Sequence, residues 1–143
     1  MRRVNLFTAP LQDDAGRPDG FGFSFARLGP QLGAKLVGAT VYELPPGQTT
    51  FPYHYEYGCE EWLLVVTGRP TLRDPEGEHE LEPGDFVCFP EGPDGAHGLS
   101  GSSGVRALLL STTDLPANVF YPDSGEWRIR NGADDDVVLR PTL

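Results

Sequence analysis

In the stretch FPYHYEYGCEEWLLVVTG, residues 51 to 68, His54 stands two residues before Glu56, and Glu61 follows just ahead of a strongly apolar run. Successive side chains of an extended chain point to opposite faces, so Tyr53, Tyr55 and Tyr57 share one face and His54 and Glu56 the other. An ordinary core strand does not need that pairing. It does aim two metal ligands at one point, and Glu61 arrives as a second carboxylate after the turn at Gly58. A second metal-like element comes downstream in PGDFVCFPEGPDGAHGLS, residues 83 to 100, with His97 near its end. Taken singly, His54 reads as a hydrogen-bonded core histidine, and Glu56 and Glu61 as solvated strand ends. Their joint arrangement favours a metal site.

Cys59 lies inside the same stretch, and a thiolate is a good zinc ligand. No second cysteine or histidine stands beside it at zinc-finger spacing. Cys59 and Cys88 are expected as separate thiols rather than a disulfide. Other chemistry finds little support. His79, in the polar run EGEHELE, reads as a solvated side chain, and the DDD at 134 to 136 as a hydrated turn without the spaced ligands of a calcium loop. No Gly-rich phosphate loop opens a helix, and no Gly-x-Ser-x-Gly elbow presents a serine nucleophile.

The elements that must position these residues are short strands. Apolar, β-branched runs recur at KLVGATVYEL (35–44), EEWLLVVTG (60–68), RPTLRD (69–74), HELEPGDFVCFP (79–90), AHGLS (96–100) and VRALLLSTT (105–113), with Gly and Pro between them. DPEGE at 74–78 reads as a hairpin turn. No window of helical length carries an apolar stripe of period 3.6. With Gly 18 and Pro 14 in 143 residues, the pattern predicts an all-β sandwich or barrel in one domain. In EWLLVV both faces are apolar: Glu61, Leu63 and Val65 on one, Trp62, Leu64 and Val66 on the other. A strand of that kind is covered on both sides, outside by the chain's own terminal arms or by a second subunit. The tyrosine face adds to that outer layer and favours a homodimer.

Eleven basic against twenty-one acidic residues leave a net charge of −10, a field that repels phosphate backbones and anionic membranes. Neither nucleic acid nor a membrane is expected as a partner. MRRVNLFTAP carries no apolar run after its two arginines, so it does not read as a secretory signal, and no run approaches a membrane span. A cytoplasmic protein is expected.

Together the two metal-like elements resemble the cupin family, whose first motif runs Gly, five residues, His-x-His, three or four residues, Glu, six residues, Gly. Gly47 opens it one residue further from His54 than the pattern asks, and Glu61 and Gly68 close it in register. Glu56 stands where the second histidine belongs. The second motif runs Gly, five residues, Pro-x-Gly, two residues, His, three residues, Asn. Gly84, Pro90 and Gly92 fit it, four residues separate Gly92 from His97, and the Asn position falls on Gly101. The longer string YHYEYGCEEWLLVVTGRPTL…ELEPGDFVCFP, with YPDSG at 121 to 125, is similar to small single-domain bacterial cupins of unsettled activity.

The resemblance implies a double-stranded β-helix barrel over the whole chain 1–143, with its motifs in about 35–113 and terminal arms at 1–34 and 114–143. It also implies one divalent transition metal (iron, manganese or zinc) held by His54, Glu61 and His97, with Glu56 as fourth ligand. Two imidazoles and two carboxylates neutralise a divalent ion and turn its preference away from cuprous copper. Glu56 could equally stand free as a general base. Function stays open among a small-molecule metalloenzyme of dioxygenase or isomerase type, a non-catalytic module holding a small metabolite in the barrel, and a structural cupin with an empty site.

Overall fold

The alternating and doubly apolar runs form short antiparallel strands, seen in a computed structural model that describes residues 1–14, 16–112, 117–130 and 136–142. The chain opens with β1 (Gln12–Asp13), β2 (Ser24–Arg27), a short helix α1 (Leu28–Leu32) and β3 (Val37–Leu44). The middle supplies β4 (Tyr55–Tyr57), β5 (Glu61–Thr67), β6 (Thr71–Asp74), β7 (Gly77–Glu80), β8 (Phe86–Phe89), β9 (Gly98–Ser100) and β10 (Val105–Thr112). The last part adds β11 (Ala117–Tyr121), β12 (Glu126–Arg130) and β13 (Val137–Leu139). The fold is all-β, as the spacing of the apolar runs predicts. Among the described residues no helix is long and apolar enough to cross a membrane.

One wall is a six-stranded sheet in the order β1-β2-β3-β10-β5-β8. The other is built from a four-stranded sheet, β13-β12-β11-β4, and a three-stranded sheet, β7-β6-β9. Bridges between His54 and His97 and between Thr49 and Ser100 connect these last two. This is the jelly-roll arrangement of a double-stranded β-helix. Inward alternation fills the barrel with Leu44, Leu63, Val65, Leu72, Phe89, Leu99, Val105 and Ala107. The run HELEPGDFVCFP is not one strand: β7 and β8 belong to different sheets. Pro83 has no N–H to donate, and Gly84 takes a positive φ of 97°, so the chain turns there from one wall to the other.

The outer face of the six-stranded wall is divided. Over Ala26 and Val41 the N-terminal arm lays down Val4, Leu6, Ala9 and Leu11, with Leu28 beside them. Around β5 and β8 the cover stops: Trp62 stacks on Phe86 at 5.1 Å, and Phe86 is 57% exposed. Cys59 and Cys88 are both free thiols. His79 is exposed on the β6–β7 hairpin, 3.1 Å from Asp74. Asp134 and Asp135 of the acidic run lie outside the described residues.

Candidate metal centre

His54 and His97 are partners across two antiparallel segments of the second wall. The His54 N–H donates to the His97 carbonyl at 3.1 Å, and the His97 N–H donates back to the His54 carbonyl at 2.8 Å. Directly opposed residues of an antiparallel pair send their side chains to the same face. Both imidazoles therefore enter the barrel together, with ring centroids 4.6 Å apart. Each is oriented in the same way: Nδ1 of His54 meets the Pro52 carbonyl at 2.8 Å, and Nδ1 of His97 meets the Gly95 carbonyl at 2.9 Å. A carbonyl only accepts, so Nδ1 carries the proton and Nε2 of the neutral ring keeps its lone pair. Phe89 stacks on His97 at 3.7 Å and fixes that ring further. The turn that offers the Gly95 carbonyl closes only over glycine, since a Cβ there would lie 1.8 Å from the carbonyl oxygen of Pro90.

Glu61 comes from the opposite wall, where it opens β5 and points inward with Leu63 and Val65. Its Oε2 lies 3.3 Å from His97 Nε2 and 3.8 Å from His54 Nε2, yet it is buried without a hydrogen-bond partner among the described residues. The 3.3 Å contact becomes a hydrogen bond only when His97 is protonated on both nitrogens. Otherwise two imidazole lone pairs and a carboxylate oxygen face one another with no proton between them. A cation supplies what such a cluster lacks. Ligands about 2.0–2.2 Å from one ion stand about 3–3.5 Å apart, close to the separations seen here. One ligand atom from each of His54, Glu61 and His97 falls within 4.8 Å of the others, so the donor set fits a divalent ion.

The electrostatics agree. Burial, followed by the charge of His97, pushes the His54 imidazole down to about 4, so it is neutral and able to ligate at pH 7. Burial works to raise Glu61, but a doubly protonated His97 donating to it, with the charges that His97 and His54 then carry, outweighs burial and holds the carboxyl below its usual range. Glu56 behaves oppositely: burial and the neighbouring Glu61 charge raise it.

Glu56 shares the inward face with His54, as their spacing predicts, and is 7% exposed. Its neighbours differ from those of the histidines. Oε1 is 3.9 Å from Arg130 Nη1, and the carboxylate forms an overlapping cluster with Cys59 and Glu61. The Cys59 thiol, 3.4 Å from the Thr112 carbonyl, is pushed up to about 12 by burial and then by the Glu56 charge. A protonated thiol makes that second cluster the weaker place for a cation. The fold thus gathers His54, Glu61 and His97 around one point and sets Glu56 beside Glu61, against Cys59 and Arg130.

A cavity of about 610 Å³ opens from the cluster. Tyr42, Phe51 and Tyr121 line it, with Arg17, Arg27 and Arg130. The Tyr121 ring sits 5.8 Å from that of His54. The arginines and Tyr121 are absent from the site read in sequence, because they come from the segments flanking the motif-bearing middle of the chain. The only sequence signal for them is their local alternation, as in SFAR at 24–27.

No curated protein matches the chain. Among solved structures, a candidate sugar phosphate isomerase from Acidithiobacillus ferrooxidans is 25% identical, with a TM-score of 0.78, covering 87% of this chain and 82% of that one. A sugar phosphate isomerase of the cupin superfamily from Silicibacter pomeroyi is 24% identical, with a TM-score of 0.83 and coverage of 96% and 92%. The polyketide cyclase RemF from Streptomyces resistomycificus is 24% identical, with a TM-score of 0.63 and coverage of 82% and 83%. Residues 40–112, from within β3 to the end of β10, hold His54, Glu56, Glu61 and His97 and match the family model described as Cupin domain, so the chain belongs to the cupin family.

Proposed function

We propose that the protein is a metal-dependent enzyme of the isomerase type, acting on a small carbonyl compound held in the barrel. The observation that carries this reading is the convergence of His54 Nε2, His97 Nε2 and the orphaned Glu61 Oε2 at the wall of the cavity. His54, Glu61 and His97 would hold one divalent transition ion (iron, manganese or zinc). Such an ion supplies Lewis-acid polarisation of a carbonyl oxygen. Glu56 stands beside Glu61 with its proton affinity raised by burial and by the Glu61 charge, which suits a group that takes a proton from one carbon and returns it to the next. That exchange needs no oxidant or reductant. The likeness to a candidate sugar phosphate isomerase at 25% identity supports the same reaction class.

A dioxygenase is the second reading, favoured by the count of two imidazoles and one carboxylate in the primary cluster. Oxygen consumption with iron-loaded protein separates it from an isomerase. A non-catalytic module would bind the same ligands without turnover.

The first test is metal content in untagged protein, measured by elemental analysis before any chelator is used. Close to one ion per chain is expected in wild type, and His54→Ala or His97→Ala should lower it at least tenfold. Unchanged content in both variants would sink the centre.

A further inference from the structure

The row of residues next to Glu61 leads across the six-stranded wall to an arginine. Leu63 pairs with Leu109, Leu109 with Thr40, and Thr40 with Arg27 of β2. Leu63, Leu109 and Thr40 all line the cavity, and opposed residues share a face, so Arg27 stands on the cavity side of its strand. Three strand spacings separate β2 from β5, about 14 Å of backbone. Arg27 is therefore well removed from the metal cluster while bordering the same space.

Its neighbours reinforce the charge. Arg17 enters the cavity with its guanidinium over the rings of Phe23 at 4.2 Å and Phe51 at 4.8 Å, held by Asp14 and by the Thr50 carbonyl at 3.4 Å. Burial and the Glu61 charge raise the Tyr42 phenol, while Arg17 and Arg27 both pull it the other way, which places the phenol within the field of the two guanidiniums. Of the cavity's arginines, Arg17 is paired with Asp14, and Arg130 faces Glu56 at 3.9 Å. Asp136 also lines the cavity. Arg27 makes no ion pair among the described residues. A guanidinium with an open fork, bordering the same cavity as a second cation and a phenol, suits a planar or tetrahedral oxyanion.

Resting on the reading of the barrel as a small-molecule site, we propose that its ligand carries a carboxylate or phosphate, held by Arg27 with Arg17 and Tyr42, while its other end reaches the His54–Glu61–His97 cluster. Charge recognition and reaction then occur at different places. The Glu61 charge is felt as far as Tyr42, so the two guanidiniums must offset it for an anion to be held there.

Isothermal titration of metal-free protein with inorganic phosphate and with acetate tests the anion site apart from the centre. Wild type should bind at least one of them, and Arg27→Gln should weaken that binding at least tenfold. Arg27→Lys, which keeps the charge and loses the fork, should fall between. His97→Ala should bind the anion as wild type does, so a failure of the metal reading leaves this result legible. Tighter phosphate binding assigns a phosphate ester, and tighter acetate binding assigns a carboxylic acid. Equal affinities in wild type and Arg27→Gln, or binding of neither anion by wild type, would overturn the proposal. Ribose 5-phosphate serves as a probe with two ends: it should bind metal-loaded wild type more tightly than metal-free wild type, and His97→Ala should abolish that gain. Tight binding with no gain from metal would reject the contact at the cluster and leave the anion site standing.

Discussion

Replacing Glu61 with glutamine should move stability and metal affinity in opposite directions. Glu61 Oε2 is buried without a hydrogen-bond partner among the described residues, 3.3 Å from His97 Nε2. Both imidazoles direct their Nδ1–H to backbone carbonyls, so when the rings are neutral their Nε2 atoms present lone pairs to that oxygen. An orphaned buried acceptor costs about 1–3 kcal/mol. Glutamine keeps the shape and can turn an N–H towards His97 Nε2, converting the opposed lone pairs into a hydrogen bond. Metal-free Glu61→Gln should therefore exceed wild type by about 1–2 kcal/mol at pH 8. For a chain of this size that is a rise in Tm of roughly 2–6 °C. The same change removes the anionic ligand. Wild type should gain about 2.7 kcal/mol at a metal concentration one hundred times Kd, and the variant far less. Thermal unfolding in chelator and then in excess manganese or zinc reads both quantities. A variant that is less stable than wild type in chelator, and that metal stabilises as strongly, would refute the argument.

Glu56→Gln tests whether Glu56 is a fourth ligand: weakened metal affinity in titration places it on the ion, whereas intact affinity with lost turnover assigns it to proton transfer. The metal-free protein should lose stability on acidification because of His54. Its folded-state pKa of about 4 lies below the ordinary 6.5, so the unfolded chain takes up a proton that the native state refuses. The loss, about 3 kcal/mol, develops between pH 6.5 and pH 4 and is complete for this group below that. Denaturant titrations across that range should show it in wild type and not in His54→Ala. We propose a dimer through the open half of the outer wall: light scattering should give twice the 15.6 kDa chain mass for wild type, and monomer or aggregate for Trp62→Asp. A wild-type monomer at micromolar concentration would remove the case for a second subunit on that face.

How much of the fold and the centre is legible in the sequence depends on whether the information is local. The shared face of His54 and Glu56 follows from strand alternation alone, and so does the inward line of Glu61, Leu63 and Val65. The gathering of His54 with His97 does not, because it rests on a backbone pairing between segments far apart in the chain, whose register no local pattern announces. Motif resemblance supplied that pair, and the fold explains it. The same limit hid the break at Pro83 and Gly84, where apolar alternation continues on both sides of a turn between walls. The difference between the two carboxylates was hidden as well. Glu56 and Glu61 are alike in sequence, and only their neighbours, Cys59 and Arg130 for one and the two imidazoles for the other, drive their proton affinities apart.

The division between core and flanks bears on what family membership can carry. The matched region, residues 40–112, contains every member of the proposed centre. Arg17, Arg27, Tyr121 and Arg130 all lie outside it, yet all line the cavity. The N-terminal segment does two jobs at once: Val4, Leu6 and Ala9 cover the outer face of the wall, and Arg17 and Arg27 reach round to its inner side. Changes in such a segment leave the paired histidines and the Pro52 and Gly95 carbonyls that hold them untouched. They alter the charge and width of the far end of the cavity. If the proposed centre and anion site hold, chains with this core share a metal chemistry and differ in the molecules they admit, and the arginines of the flanks are where this one sets its choice.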